Sequence, residues 1–441
     1  ELKQNRQDHM NRLISLASQV IPQPSRIVVI SGILLTMAAL ALVGCDELVD
    51  VPSDQQTIDT SQPVTLEALT IGATSDLFTA YDSKIVWGGL FSDTFVSSGT
   101  APRIQIFDRR AVTEDHGGGG ARGNSIGGPF YTPQQKAVRV AELAQERLLS
   151  GEFDQIADPQ NSAEFARFSA YNGFGKTWIA DLYCTAAFNG DGPELSSDEV
   201  YQLAEQEFTR AIEAENAEES IRQASLAGRA RVRLILGNTD GALTDAEQVN
   251  EDFEFVATYS TNSFAERNRV HFRTWDFRNW SVGPAFRDLT IDDLGEADPR
   301  VDLAVNPEQA FDPSQDLYAP RKVSNPNSPL VITSGDEAQY IIAEIIGGTD
   351  AIDIINDVRV RNGVDTVWSP SNPTATEIRD KVIDERKRTL FLEGVRLGDI
   401  RRYLDVYDLD FFQQETPQGF TMGDQTCLPL PEIERNNNPG I

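Results

Sequence analysis

Residues 196–250 read SSDEVYQLAEQEFTRAIEAENAEESIRQASLAGRARVRLILGNTDGALTDAEQVN. Ser196 followed three positions later by Glu199 forms a capping box. The hydroxyl accepts from the backbone N–H of residue 199, and the carboxylate accepts in return from the N–H of residue 196. A helix is therefore predicted from this point to about Glu215, with two more at 220–236 and 240–249. Within them Ala204, Phe208 and Ala211 fall at intervals of four and three, and Ala242, Ala246 and Val249 repeat the spacing. Such intervals place residues on one helix face. A small residue lets a neighbouring axis approach closely, and a large one fills the groove that remains.

Outward from this stretch, the same triplet recurs at Ala351, Ile355 and Val358. Each triplet falls on the second helix of a hairpin whose first helix presents small residues, near Ala180, Ala230 and Ala343. On the N-terminal side, helices are predicted at 64–81, at 133–150 (opened by a Thr132 hydroxyl cap, Pro133 and Gln135) and at 163–183. On the C-terminal side they are predicted at 335–346 and 350–361, followed by a long amphipathic helix opened by Thr374 and Glu377 and running through Ile400. Residues 82–130 and 251–335 break this period with Gly, Pro and aromatic residues and read as loop excursions. The predicted class is all-α: a tetratricopeptide-like helical-repeat scaffold with large irregular loop excursions.

The chain has 441 residues and a formal net charge of -30, with 38 Lys+Arg against 68 Asp+Glu. That balance excludes nucleic acid as a ligand, because such affinity comes from neutralising phosphates with cations. Residues 27–43 (IVVISGILLTMAALALV) form an uncharged run preceded by Arg26, too short for a comfortable membrane span and suited to a signal segment. Leu42-Val43-Gly44-Cys45 at its end resembles the lipobox of bacterial lipoproteins, which implies cleavage before Cys45 and acylation of its thiol. Residues 1–44 are then a lipoprotein signal segment, 45–62 a polar, Pro-containing tether, and 63–441 one helical domain. Without 1–44 the balance is 34 against 66, so the acidity belongs to the exported part. Cys184 and Cys427 remain. Two separate structural thiols are expected, with a disulfide in an oxidising compartment as the alternative.

No catalytic constellation survives inspection. Gly118-x-Gly120-x-x-Gly123 has the letters of a dinucleotide loop but not the flanking strand and helix. Gly175-Lys176-Thr177 ends like a phosphate loop, yet Ala170 stands where its first Gly belongs. Gly123-Asn124-Ser125-Ile126-Gly127 matches a nucleophile elbow but runs into Gly128-Pro129. Asn189, Asp191 and Asp198 surround a Gly-Pro loop without the register of a calcium-binding hand, so no metal or other cofactor is expected. The most suggestive ligand feature is aromatic. Phe272, Trp275, Phe277 and Trp280 alternate with Arg278, Asn279 and other polar residues, an arrangement that can stack on a sugar ring while polar groups bond its hydroxyls.

Several stretches together are similar to the SusD/RagB lipoproteins. They are the mature start Cys45-Asp-Glu-Leu48, Asp298-Pro299-Arg300, and Glu337-x-x-Tyr340-x-x-Ala343-Glu344 with Asn356-x-Val358-Arg359-x-Arg361. To these add Glu385-Arg386 through Leu390-Phe391-x-Glu393-Gly394-x-Arg396-x-x-Asp399-x-x-Arg402, and the ending Leu428-Pro-Leu-Pro431 through Asn438-Pro439. The resemblance implies a lipid-anchored protein on the outer face of a bacterial outer membrane. It would bind oligosaccharide or peptide without cleaving it and pass it to a SusC-type TonB-dependent transporter. A helical-repeat scaffold for protein assembly at the same membrane is the alternative. The charged residues Glu385, Arg386, Glu393, Arg396 and Asp399 are expected to form ion pairs that hold the C-terminal helix against the repeats.

Overall fold

The computed structural model describes residues 64–114 and 131–441, apart from the side chains of Arg103 and Asp293. Cys45, the signal segment, the tether, His116 and both Gly-rich motifs of 118–127 lie outside the described residues. Helix α1 (Leu66–Phe91) is capped by the Thr65 hydroxyl and followed by α2 (Pro102–Asp108), α3 (Thr132–Leu149) and α4 (Ala163–Leu182). Next come α5 (Ser197–Glu213), α6 (Glu219–Ile235) and α7 (Thr239–Ala246). The C-terminal set is α8 (Gly335–Ile346), α9 (Gly348–Arg361), α10 (Ala375–Thr389), α11 (Arg396–Tyr407) and the short α12 (Glu432–Asn437). The all-α class holds.

The small-and-large pattern does what its spacing requires. Phe208 is fully buried, and a Cβ added at Gly173 on α4 or Gly228 on α6 would come within 2.8 or 2.6 Å of its ring. Its phenyl therefore fills a slot bounded by two glycines on flanking helices. Ala242, Ala246 and Val249 pack with Ala227 and Ala230 of α6 and with Ala338 and Ile341 of α8. Ala351, Ile355 and Val358 pack with Ala343 and, from α10, Ile378 and Val382. The hairpins α4–α5, α6–α7 and α8–α9 are thus joined in series, each burying the apolar face of the next. The capping boxes at Ser196/Glu199 and Thr374/Glu377 are both formed.

Four details differ from the sequence reading. Helix α1 continues ten residues past Tyr81, because Gly88 and Gly89 act as packing residues: a Cβ on Gly89 would meet the Phe95 ring at 2.5 Å. Thr132 is the first helical residue and not the cap, and Gln135 donates instead to the Ala187 carbonyl at 2.9 Å. The long C-terminal helix is two helices, α10 and α11, since Leu392 and Gly394 take left-handed conformations (φ 65° and 69°), and a Cβ added at Gly394 would meet the Tyr81 ring at 3.1 Å. Cys184 and Cys427 are not separate thiols but a disulfide spanning 243 positions. Beside it Tyr183 and Leu428 form a parallel bridge, with Leu428 donating to the Leu182 carbonyl at 2.8 Å.

The segment between α7 and α8 is laid out by short antiparallel strand pairs. β4 (Glu254–Ala257) pairs with β8 (Leu330–Ser334), β5 (Trp280–Val282) with β1 (Phe95–Ser97), and β6 (Leu303–Val305) with β7 (Tyr318–Pro320). A further two-residue pair, β2 (Thr185–Ala186) and β3 (Leu195–Ser196), follows α4. The β4–β8 pair closes the base of the excursion and the β1–β5 pair ties it to the end of α1.

Buried ion pairs join the C-terminal motif to the repeats. Glu337 accepts from Arg231 Nε at 2.6 Å and Arg386 Nη2 at 3.2 Å, and Arg386 also reaches Asp399 at 2.8 Å. Glu385 binds Arg300 and Arg359, Glu393 binds Lys322, Arg396 binds Asp93, and Arg402 binds Glu344. Burial alone would push the Glu337 carboxyl up, but Arg231 and Arg386 outweigh it and hold the group down at about 2. Removing one member of such a buried cluster leaves the others uncompensated, at roughly 3–5 kcal/mol. Glu337→Gln is therefore expected to lower unfolding free energy by about that amount in urea titration. Cys184→Ser should cost about 2–4 kcal/mol by the same measurement, and addition of reductant should reproduce the loss in the parent protein but not in the variant.

Candidate functional site

The aromatic segment after β4 begins with a helical turn at Arg269–His271, capped by Asn268, that widens into a π-helical turn at Phe272–Asp276. The Phe277 N–H donates to the Phe272 carbonyl at 2.8 Å, closing the wide turn and bringing the two rings into a stack with centroids 5.7 Å apart and planes 14° apart. Arg278 follows in the left-handed region (φ 52°), which turns the chain back into β5. Its carbonyl accepts from the Phe311 N–H at 2.9 Å, and Phe311 lies against Phe277 at 5.1 Å. On the other side, Phe264 meets Phe272 edge to face at 5.0 Å.

The result is a continuous row, Phe264–Phe272–Phe277–Phe311. Phe264, Phe277 and Phe311 are 63%, 42% and 49% exposed. A run of exposed rings in van der Waals order is unusual on a soluble surface, where large apolar side chains normally occur singly. Loop residues set on a rigid scaffold are also where recognition groups concentrate.

The sequence candidates divide between this row and the core. Phe272 and Phe277 form its centre. Trp275 is half-buried, donates from Nε1 to the Pro320 carbonyl at 3.0 Å and packs over Ala304, Ala310, Leu317 and Ala319. Trp280 is fully buried, edge to face with Trp87 at 4.8 Å, and presents no ring face to solvent. Asn279 is buried beneath the loop, where its carbonyl accepts from the Ser98 N–H at 2.9 Å. Arg278 is salt-bridged to Glu308. Gly175, Lys176 and Thr177 lie inside buried α4, with Lys176 bonded to Glu142 and Asn172. Phe264 and Phe311, which complete the row, were not singled out from sequence. Their signal was the isolated large apolar residue in two polar turns, SFAER and AFDP.

A groove of about 530 Å³ adjoins the row, between α1 and the strand-turn segment 258–266. Ala265 and Glu266 form one wall, in the same turn that carries Phe264. Thr70, Thr74, Phe78 and Tyr259 line it, and Asp82 lies at its floor, 2% exposed. Asp82 Oδ2 accepts from the Arg269 N–H at 3.1 Å; Arg269 Nε stands 3.3 Å from Oδ1, out of line for a hydrogen bond. Burial pushes the Asp82 carboxyl up to about 8 against the pull of Arg269. Ser260 and Ser263 donate to Glu266 and hold its carboxyl below the usual range.

The C-terminal residues 337–441 match the SusD family. That segment is similar in sequence to the SusD family, and the likeness of the rest of the chain is one of fold. Its fold is similar to that of a SusD superfamily protein from Bacteroides vulgatus, at TM-score 0.65 and 16% identity, covering 85% of this chain and 97% of that one. A SusD-like carbohydrate binding protein from the same organism matches at TM-score 0.63 and 16% identity, covering 85% and 96%. A SusD homolog from Bacteroides thetaiotaomicron matches at 0.62 and 13%, covering 87% and 97%. No curated protein sequence matches. At these identities the likeness is one of fold. The phenylalanine row stands outside the segment that matches the family.

Asp82 supplies a pH test of the groove. Its carboxyl is raised in the folded state, so the folded protein holds a proton that the unfolded chain releases near pH 4. The stabilising contribution is complete below that pH and is lost as pH climbs through about 8. Asp82→Asn cannot titrate, and is expected to flatten the fall in melting temperature between pH 4 and 8; an unchanged slope would place the titration elsewhere.

Proposed function

We propose that this protein is a surface binding protein that captures oligosaccharide on the phenylalanine row and hands it to a SusC-type TonB-dependent transporter. The observation that carries the binding role is the row itself: three exposed rings and one half-buried ring held by a π-helical turn and two strand pairs. Sugar rings present C–H faces that pack on flat aromatic surfaces, and a row of phenyl rings offers several consecutive contacts. The carbohydrate binding assigned by name to one structural relative supports the same class of ligand. Capture without cleavage fits the set, since the carboxylates of its segments, Glu266, Asp276 and Glu308, are each engaged by a hydrogen bond or a charged neighbour.

Lipid attachment at Cys45 and a place on the outer membrane belong to the same proposal. Among the described residues no helix is long and apolar enough to cross a membrane. Two experiments test the proposal. Phe277→Ala and Phe311→Ala should each weaken binding of a glycan ligand about tenfold or more in calorimetry, roughly 1.4 kcal/mol, with melting temperature nearly unchanged because both rings are already exposed. Cys45→Ala should remove the acyl mass from the protein and release it from membranes.

A further inference from the structure

The chain is strongly acidic, and its cations are correspondingly well used. Among the described side chains, the other Lys and Arg residues are held by a carboxylate, or hydrogen-bonded to a carbonyl, amide or hydroxyl. Two are not. The Arg267 and Arg273 side chains make neither a hydrogen bond nor an ion pair, and Arg267 Nε is buried without a partner. Both belong to the phenylalanine row. Arg267 closes the turn that carries Phe264, and Arg273 follows Phe272 inside the π-helical turn.

Arg273 is the more constrained. Its guanidinium carbon lies 5.5 Å from the Phe272 centroid, 5.4 Å from Trp280 and 5.6 Å from Trp87, so ring faces and not an anion compensate its charge. Burial, with Arg269 adding repulsion, brings it down to about 10, which leaves it charged at neutral pH. The nearby acids are committed elsewhere. Asp82 pairs with Arg269, Glu308 with Arg278, Glu266 with two serines, and Asp276 faces His271 at 3.3 Å. A planar guanidinium with free donors is suited to bidentate binding of a carboxylate or sulfate. The overall negative charge does not cancel this locally, because salt screens distant charges beyond a Debye length of about 8 Å.

Resting on the glycan-binding reading above, we propose that the sugar held on the phenylalanine row carries an anionic substituent, a ring carboxylate or a sulfate ester, that is bound by Arg273, with Arg267 at the end of the Phe264 turn as a second cation. The site thus favours acidic over neutral oligosaccharides.

Calorimetry at pH 7 with tetragalacturonate, a sulfated galactan tetrasaccharide and neutral cellotetraose tests it on the full chain. At least one acidic tetramer should bind tenfold or more tighter than cellotetraose, and the arm that does so names the anion. That ratio should shrink as sodium chloride rises from 20 to 500 mM. Arg273→Met, which keeps an apolar contact with the rings, should bring it near one, and Arg273→Lys should restore part of it. Arg267→Gln should lower it several-fold. Melting curves separate a folding defect from a lost contact, and Arg267→Gln keeps the test open if the Arg273 variants unfold. Equal affinity for acidic and neutral tetramers, or an undiminished ratio in folded Arg273→Met, overturns the anion preference while leaving glycan binding intact. Tetraglutamate serves as the non-sugar control: failure of every tetrasaccharide to bind overturns both readings, and binding of tetraglutamate alone overturns the sugar.

Discussion

The carboxylate of Glu337 is the point on which the architecture converges. It sits at the start of α8, accepts from Arg231 on α6 and Arg386 on α10, and takes a hydrogen bond from Thr333 on β8 at 2.9 Å. Four elements from three separate parts of the chain therefore meet on one buried side chain. Through Arg386 the cluster reaches Asp399 on α11, so both C-terminal helices are oriented by it. Ion pairs of this kind add little net stability over a well-packed apolar core, because desolvation offsets the attraction. What they impose is register. A shift of α10 by one turn would leave Arg386 and Glu385 buried and unpaired together.

That rigidity has a bearing on the phenylalanine row. Phe264, Phe272, Phe277 and Phe311 come from three loop segments with almost no regular structure of their own, and their mutual order depends on where those segments are fastened. β4 is paired with β8, which leads directly into Glu337, and β5 is paired with β1 at the end of α1. The row is consequently built on loops but referenced to the helical frame at both ends. Rings preset in this way have less conformational freedom to lose on binding than rings on a free loop.

Much of the scaffold was legible in the sequence because its signals are local. The capping boxes at Ser196 and Thr374, the three small-large triplets and the charged C-terminal motif each operate within one or two helical turns. What escaped is non-local. Gly88 and Gly89 look like breakers until Phe95 is found against them, and the break at 390–395 depends on Leu392 accepting a left-handed conformation inside a helical pattern. Trp280 and Phe277 are indistinguishable in a list of aromatics. One is placed in the core by the β1–β5 pairing and the other is turned out by the π-helical turn. Phe311 is brought to the row by backbone hydrogen bonds from residues 311 and 312 to the carbonyls of residues 278 and 98, which no spacing rule could foresee.

If the chain is displayed on the cell surface as proposed, the Cys184–Cys427 bond has a further meaning in the presence of proteases. The loop it closes encloses α5 through α11 and the whole phenylalanine excursion. A single backbone cut anywhere in that span, including the exposed 258–266 turn, leaves both pieces covalently joined around the same buried charges. Damage to the part of the surface that meets the outside world is thereby separated from loss of the protein.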